Sequence, residues 1–337
     1  MPISFLKKSV FFLITTIAVT SVAQGQFFLD RLPSEKLNIT APSKRVEGIP
    51  GELNVIDSSC QIYSSSGVRR RIVNIAIQEW GFFGFNVLDQ THQTELSGRN
   101  TQRSQLSRLG PSEALRLADS IAGYWSITPD AGWILRRQNG IWNGPNGTAA
   151  RWRDPWSAAF ISWVMCEGGV NEMDQFHRAI AHHVYIDQAI EARVTDTNSA
   201  YIAHDVGELP IEPGDLLCSA RRAAYRSIAD RAQKIGDGIR SHCDIAIKVD
   251  ETNERVLVIG GNVRGAVRLK LLAATFDDKE ESHALVRSVG LGTRTIFAHL
   301  KLRAEPITGD ALEGSPTIKA LMNSEERFAW LRGRLAF

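Results

Sequence analysis

The sequence predicts an α+β protein in which helices of the first half pack on an antiparallel β-sheet of the second. Two observations predict it. Apolar residues recur at helical spacing between Gly67 and Phe85, after Pro111 and after Pro155. After Pro213-Gly214 the period changes to two, and strand candidates follow one another to Leu302.

The chain has 337 residues and is 43% apolar, enough for a sizeable core in one large domain or two small ones. Lys7 and Lys8 precede an apolar run from Val10 to Val22, and Ala23-Gln24-Gly25 fits a small-x-small cleavage site. Residues 1–25 therefore read as a secretory signal peptide, with the mature start near Gln26. The run is short for a membrane span, and no later stretch approaches one. Formal charge is +2; removing Lys7 and Lys8 leaves the mature chain near neutral. That argues against a nucleic-acid binder, which usually carries a basic excess. The expected location is the periplasm or the cell exterior.

Residues 26–66 read as an N-terminal arm broken by Pro33, Pro42, Pro50 and Gly51. Val68, Ile72, Ile75, Ala76 and Ile77 mark the first long helix. Residues 89–109 carry four Gln and three Arg and read as a loop or a solvated helix. Pro111-Ser112-Glu113 starts a further helix, with Ala114, Leu115, Leu117, Ala118 and Ile121 as its apolar stripe. A loop over 138–150 leads to a helix expected from Pro155 to Cys166, stopped by Gly168-Gly169. Another helix is expected from Met173 to Arg193.

Asp215 to Ala220 reads as a strand. From His242 to Val249 the alternation puts Cys243, Ile245, Ile247 and Val249 on one face, and His242, Asp244, Ala246 and Lys248 on the other. Arg255 to Ile259, Val267 to Leu271 and Thr295 to Leu302 supply three more strands. One domain is expected over 67–303. A tail over 304–337 carries one amphipathic helix around Ile318 to Leu331.

Cys60, Cys166, Cys218 and Cys243 form no C-x-x-C pair, so a zinc ribbon or thioredoxin-type site is not expected. Export permits disulfides. Cys218 and Cys243 pair if their strands are neighbours; two buried free thiols are the alternative. His183 and Asp187 stand four apart on a helix, the spacing of two metal ligands on one face, but no third ligand lies at a diagnostic spacing. Neither a metal nor a cofactor is expected.

Three segments carry candidate chemistry. Ser157 stands at a helix start, where free N–H groups and the helix dipole favour negative charge. Its plain reading is a cap. His242 opens a strand, and Asn262 follows Gly260-Gly261. A serine hydroxyl attacks only when a base takes its proton, a histidine suits that task, and a third group fixes the imidazole tautomer. Asn262 is the expected third group and Asp244 the alternative. A two-residue turn at Thr252-Asn253 would set Asn262 opposite Cys243, on the wrong face. The constellation therefore requires an odd-length loop or a bulge at Gly260-Gly261. The Ser157 N–H is the expected oxyanion donor. Arg153 is a candidate for a substrate carboxylate, and Trp156, among several tryptophans before Ser157, for substrate contact.

Pro155-Trp156-Ser157-Ala158-Ala159-Phe160-Ile161 resembles the P-W-C-A-A-F-V motif of secreted CHAP-type amidases, relatives of the NlpC-type cell-wall peptidases. Pro213-Gly214-Asp215-Leu216-Leu217, His242-Cys243-Asp244-Ile245-Ala246 and Ile259-Gly260-Gly261-Asn262-Val263 resemble three further segments of that family, in the same order. The whole chain resembles an uncharacterised bacterial branch in which Ser replaces the catalytic Cys. The resemblance implies a papain-like fold and cleavage of an amide in the peptidoglycan stem peptide by Ser157, His242 and Asn262. A stored alkoxide is out of reach for serine, because its pKa is too high. Two alternatives follow: an esterase or acyltransferase of the same fold, and a catalytically inactive module that binds peptidoglycan.

Overall fold

A computed structural model describes residues 28–63, 66–91, 111–195, 197–221, 225–276, 285–286 and 294–335. The expected signal peptide lies outside these residues, as does most of the polar stretch 89–109. The first part contains α1 (Ser34–Leu37), β1 (Val46–Glu47), β2 (Asn54–Val55), α2 (Val68–Phe82) and β3 (Val87–Gln90). There follow α3 (Pro111–Arg116), α4 (Ala118–Ser126), α5 (Ala131–Trp142), α6 (Ser157–Gly168) and α7 (His182–Val194). The strands are β4 (Tyr201–His204), β5 (Leu216–Arg221), β6 (Ser241–Asp250), β7 (Arg255–Val263), β8 (Ala266–Thr275), β9 (Leu285–Val286) and β10 (Arg294–Leu302), with α8 (Ile228–Ala232) after β5. The tail forms α9 (Pro316–Met322) and α10 (Glu325–Leu335).

The expected α+β class is what the structure shows. Seven strands run in the order β3-β8-β7-β6-β5-β10-β4, and β9 pairs with β8 off this path. Every pairing in this sheet is antiparallel except β3 with β8. On one face Cys218, Cys243, Ile245, Ile259 and Leu269 join the main core beneath α2 and α6. On the other, Leu217, Ala246, Val256 and Val258 form a smaller cluster with Ile211. The two periods seen in the sequence thus correspond to helices over one sheet face and strands with two unequal apolar faces.

Several boundaries differ from the expectation. The helix expected from Met173 starts only at His182. Residues 173–181 form a loop tied to the Gln188 side chain, which donates to the Met173 and Asp174 carbonyls and accepts from the His177 N–H. Those bonds satisfy backbone groups that a helix would otherwise pair. The tail is two helices, α9 being capped by Ser315, whose hydroxyl accepts from the Ile318 N–H. The β6–β7 turn spans Glu251–Glu254, as the sequence predicts, with Glu254 at a φ of 47°.

Arm and tail are built into the core. Leu37, Ile39, Val46 and Leu53 of the arm, and Leu312, Ile318 and Leu331 of the tail, belong to the main cluster. A buried ion pair joins Arg45 to Glu167, and a disulfide joins Cys60 to Cys166. Among the described residues no helix is long and apolar enough to cross a membrane.

Candidate active site

Helix α6 is mostly apolar and fully buried, its one charged residue, Glu167, being paired with Arg45, so it cannot be a surface helix. Gly169, in the left-handed region, ends it. Ser157 is its first residue. Trp156 just before it is 2% exposed and packs between Phe83 and Tyr124, with ring centroids 5.8 Å from each. This corrects the substrate-facing role expected of Trp156: its faces are spent on core contacts that fix the start of the helix. Arg153 is exposed, and its backbone N–H donates to Gln138. The neighbouring Asp154 pairs with Arg137.

Ser157 Oγ lies 2.6 Å from His182 Nε2, at the start of α7. His182 Nδ1 accepts from the Cys243 N–H at 3.2 Å and contacts the hydroxyl of Tyr185, one turn along α7. A backbone N–H can only donate, so Nδ1 presents its lone pair and the neutral ring carries its proton on Nε2. In this tautomer His182 donates to Ser157.

His242 and Asp244 stand elsewhere. Along β6 they alternate with Cys243 and Ile245, which face α6. A Cβ on Gly261 would strike Phe160 of α6, whereas one on Gly260 would strike Asp244 and His242. His242 and Asp244 therefore belong to the sheet face turned away from the Ser157 helix. His242 Nε2 bonds Asp244 Oδ1 at 3.0 Å, and Lys270 of β8 pairs with the other carboxylate oxygen. Burial alone would raise the Asp244 carboxyl; the charges of Lys270 and His242 outweigh it and hold the group well below the usual carboxylate range. The His182 and His242 rings approach to 5.2 Å between centroids, inclined at 59°. Ser157, His182, His242 and Asp244 are only 7%, 4%, 6% and 4% exposed.

The register explains this placement. Next to the turn Asp250 faces Arg255, as a simple hairpin requires, but the pairing shifts by one between Ala246 and Lys248. Ile245 then faces Ile259, which brings Gly260 level with Asp244. A second irregularity separates Gly260 from Val263 in the β7–β8 ladder. The β6–β7 shift lies on β6 near Ile247, not at Gly260-Gly261. Asn262 adopts a φ of 54° and is half-buried, while His242 Nε2 is bonded to Asp244.

The structure thus joins Ser157 to His182, and His242 to Asp244. His182, Tyr185 and Lys270 are the residues sequence reasoning missed. For Lys270 a signal existed: Arg268 and Lys270 interrupt an otherwise aliphatic strand, as inward charges with partners do. Nothing in the spacing ties His182 to Ser157, because their contact is made by the packing of α7 at the sheet end.

The disulfide expected as one of two alternatives is present: Cys218 and Cys243 face each other across β5 and β6 and are bonded. Asp187 is committed to Arg231, with two contacts of 2.6 Å, and to the Gly236 N–H. Among the described residues no group of three or more His, Cys, Asp or Glu is placed to hold a metal ion.

Residues 114–279 match the family described as an uncharacterized protein conserved in bacteria, DUF2272. The DUF2272 match takes in every residue of the Ser157–His182 and His242–Asp244–Lys270 groups. No curated protein and no solved structure matches the chain.

Proposed function

We propose that this protein is an exported hydrolase of the bacterial cell envelope, papain-like in fold, with Ser157 as nucleophile and His182 as base. The observation that carries the reading is the 2.6 Å contact between Ser157 Oγ and His182 Nε2 at the start of a buried helix. Ser157 attacks an acyl carbonyl as its proton passes to Nε2, and the same proton then goes to the leaving group. Water releases the acyl group from Ser157. The Ser157 N–H and the dipole of α6 favour the oxyanion. Two disulfides support the exported location.

Attack requires the proton of His182 to move from Nε2 to Nδ1, where the Tyr185 hydroxyl can accept it. Tyr185 is uncharged and the Cys243 N–H faces Nδ1 as a donor, so an imidazolium here has less support than one beside a carboxylate. Esters therefore react faster than amides at this serine. The peptidoglycan stem-peptide amide is the natural substrate that the motif resemblance implies.

One observation favours a second reading, a non-catalytic envelope module. The Cys243 N–H selects the tautomer in which His182 donates to Ser157, and a serine held that way is not activated. Incubating the mature protein with purified peptidoglycan and with p-nitrophenyl esters separates the two. Ser157→Ala and His182→Gln should each abolish acyl release. Equal turnover by wild type and Ser157→Ala sinks the nucleophile; a silent wild type beside an active Ser157→Cys establishes the module.

A further inference from the structure

The buried His242–Asp244–Lys270 group has no part in the chemistry above, yet it lies against the histidine that does. We infer that Asp244, acting through His242, supplies the negative charge that steadies a protonated His182, so that His242 and Asp244 are positioning residues for the Ser157 site. The inference rests on the Ser157–His182 reading for its catalytic meaning, but its physical content is a property of the resting protein.

Four features point to it. The His182 and His242 rings are 5.2 Å apart between centroids, at the end of β6 that pairs with β5 but lies beyond its pairing with β7. Asp244 holds His242 by Nε2 at 3.0 Å, so that ring keeps its proton on Nε2. Gly260 is required for this contact: any Cβ there would stand 2.0 Å from Asp244 Oδ1. The charge also reaches the His182 pair, since the Tyr185 phenol is raised first by burial and next by Asp244.

When Ser157 Oγ bonds to the acyl carbon, its proton makes His182 an imidazolium in a nearly closed site. A carboxylate one ring away lowers the energy of that cation, and Lys270 offsets part of the effect. No proton passes through His242, which stays bonded to Asp244. Among the described residues, the groups facing His182 include Ser157 of α6, Tyr185 of its own helix, the Cys243 amide and His242 of β6. Behind them stand the charges of Asp244 and Lys270. His183, Asp187 and Arg231 lie further along α7 and α8.

The test is NMR titration of the histidine rings in the resting protein, with the His182 signals assigned through His182→Gln. Asp244→Asn should lower the His182 midpoint by about one pH unit, and Lys270→Met should raise it by a similar amount. Opposite shifts follow from charge alone; disturbed packing would move the midpoint without regard to the sign of the charge removed. An unchanged midpoint, or shifts of the same sign, overturns the inference. Should Asp244→Asn fail to fold, with Lys270 left unpaired, Lys270→Met decides by its sign. An unreactive Ser157 with opposite shifts refutes the hydrolase reading and leaves this one standing. An active Ser157 with an unmoved His182 does the reverse.

Discussion

Gly260→Ala puts a methyl group where the structure has no room for one. An ideal Cβ there lies 2.0 Å from Asp244 Oδ1 and 3.0 Å from His242 Nε2. Comfortable contact between heavy atoms needs about 3.5 Å, so the carboxylate must retreat by more than about 1 Å. It cannot do so freely, because His242 holds one oxygen and Lys270 the other. Losing a hydrogen bond to a charged group costs about 1.5–3 kcal/mol, and forcing extra volume into a packed interior adds about 1–3 kcal/mol. The variant should therefore lose about 3–5 kcal/mol. Urea unfolding measures this as a fall in midpoint at an unchanged slope. In a double-mutant cycle with Asp244→Ser, which removes the oxygen the methyl would strike, at least about 1 kcal/mol of the loss should be recovered. A wild-type midpoint for Gly260→Ala, or strictly additive costs in the cycle, would refute the reasoning.

Two further outcomes are expected. The Cys60–Cys166 disulfide closes a separation of 106 residues and Cys218–Cys243 one of 25. The chain-entropy account values them at about 5 and about 3.5 kcal/mol. Cys60→Ala/Cys166→Ala should thus lower Tm more than Cys218→Ala/Cys243→Ala, and the opposite order would contradict that account. Stability should also fall on the acid side. Burial alone would raise Asp215 and Asp244, but His299 with Arg69 and Lys301 lowers the first, and Lys270 with His242 lowers the second. A depressed folded-state pKa means that the unfolded chain binds the proton more readily, so this stabilisation is full above about pH 4 and fades below it. Urea midpoints measured from pH 6 to pH 2 should drop most steeply below pH 4, and Asp215→Asn should be the less steep; equal slopes would count against the assignment.

Much of the fold was legible because its signals are local. The helix after Gly67, the helix of Ser157 with its Gly168-Gly169 stop, and five of the strands each follow from periodicity and turn residues within one segment. Strands β3 and β4 were not legible. Each is four residues long, too short for a period to declare itself, and each is held by partners distant in sequence. The His182 helix was drawn too long because the Gln188 side chain captures the preceding loop, a contact no spacing reveals.

The candidate site divides in the same way. By itself the sequence determined that Ser157 begins a buried helix, that His242 and Asp244 share one face of a strand, and that Cys218 and Cys243 can meet if their strands are neighbours. These follow from the 3.6- and 2-residue periods, which are properties of a few consecutive residues. Only the tertiary structure decided which histidine meets Ser157. A one-residue shift near Ile247 and the departure of β7 at Gly260 are small displacements in a ladder, yet they set which side chains share a face. They leave His242 with Asp244 across the sheet from α6, while the packing of α7 at the sheet end delivers His182 to Ser157. Register and the docking of one element on another depend on contacts summed over the whole molecule, and no single segment carries them.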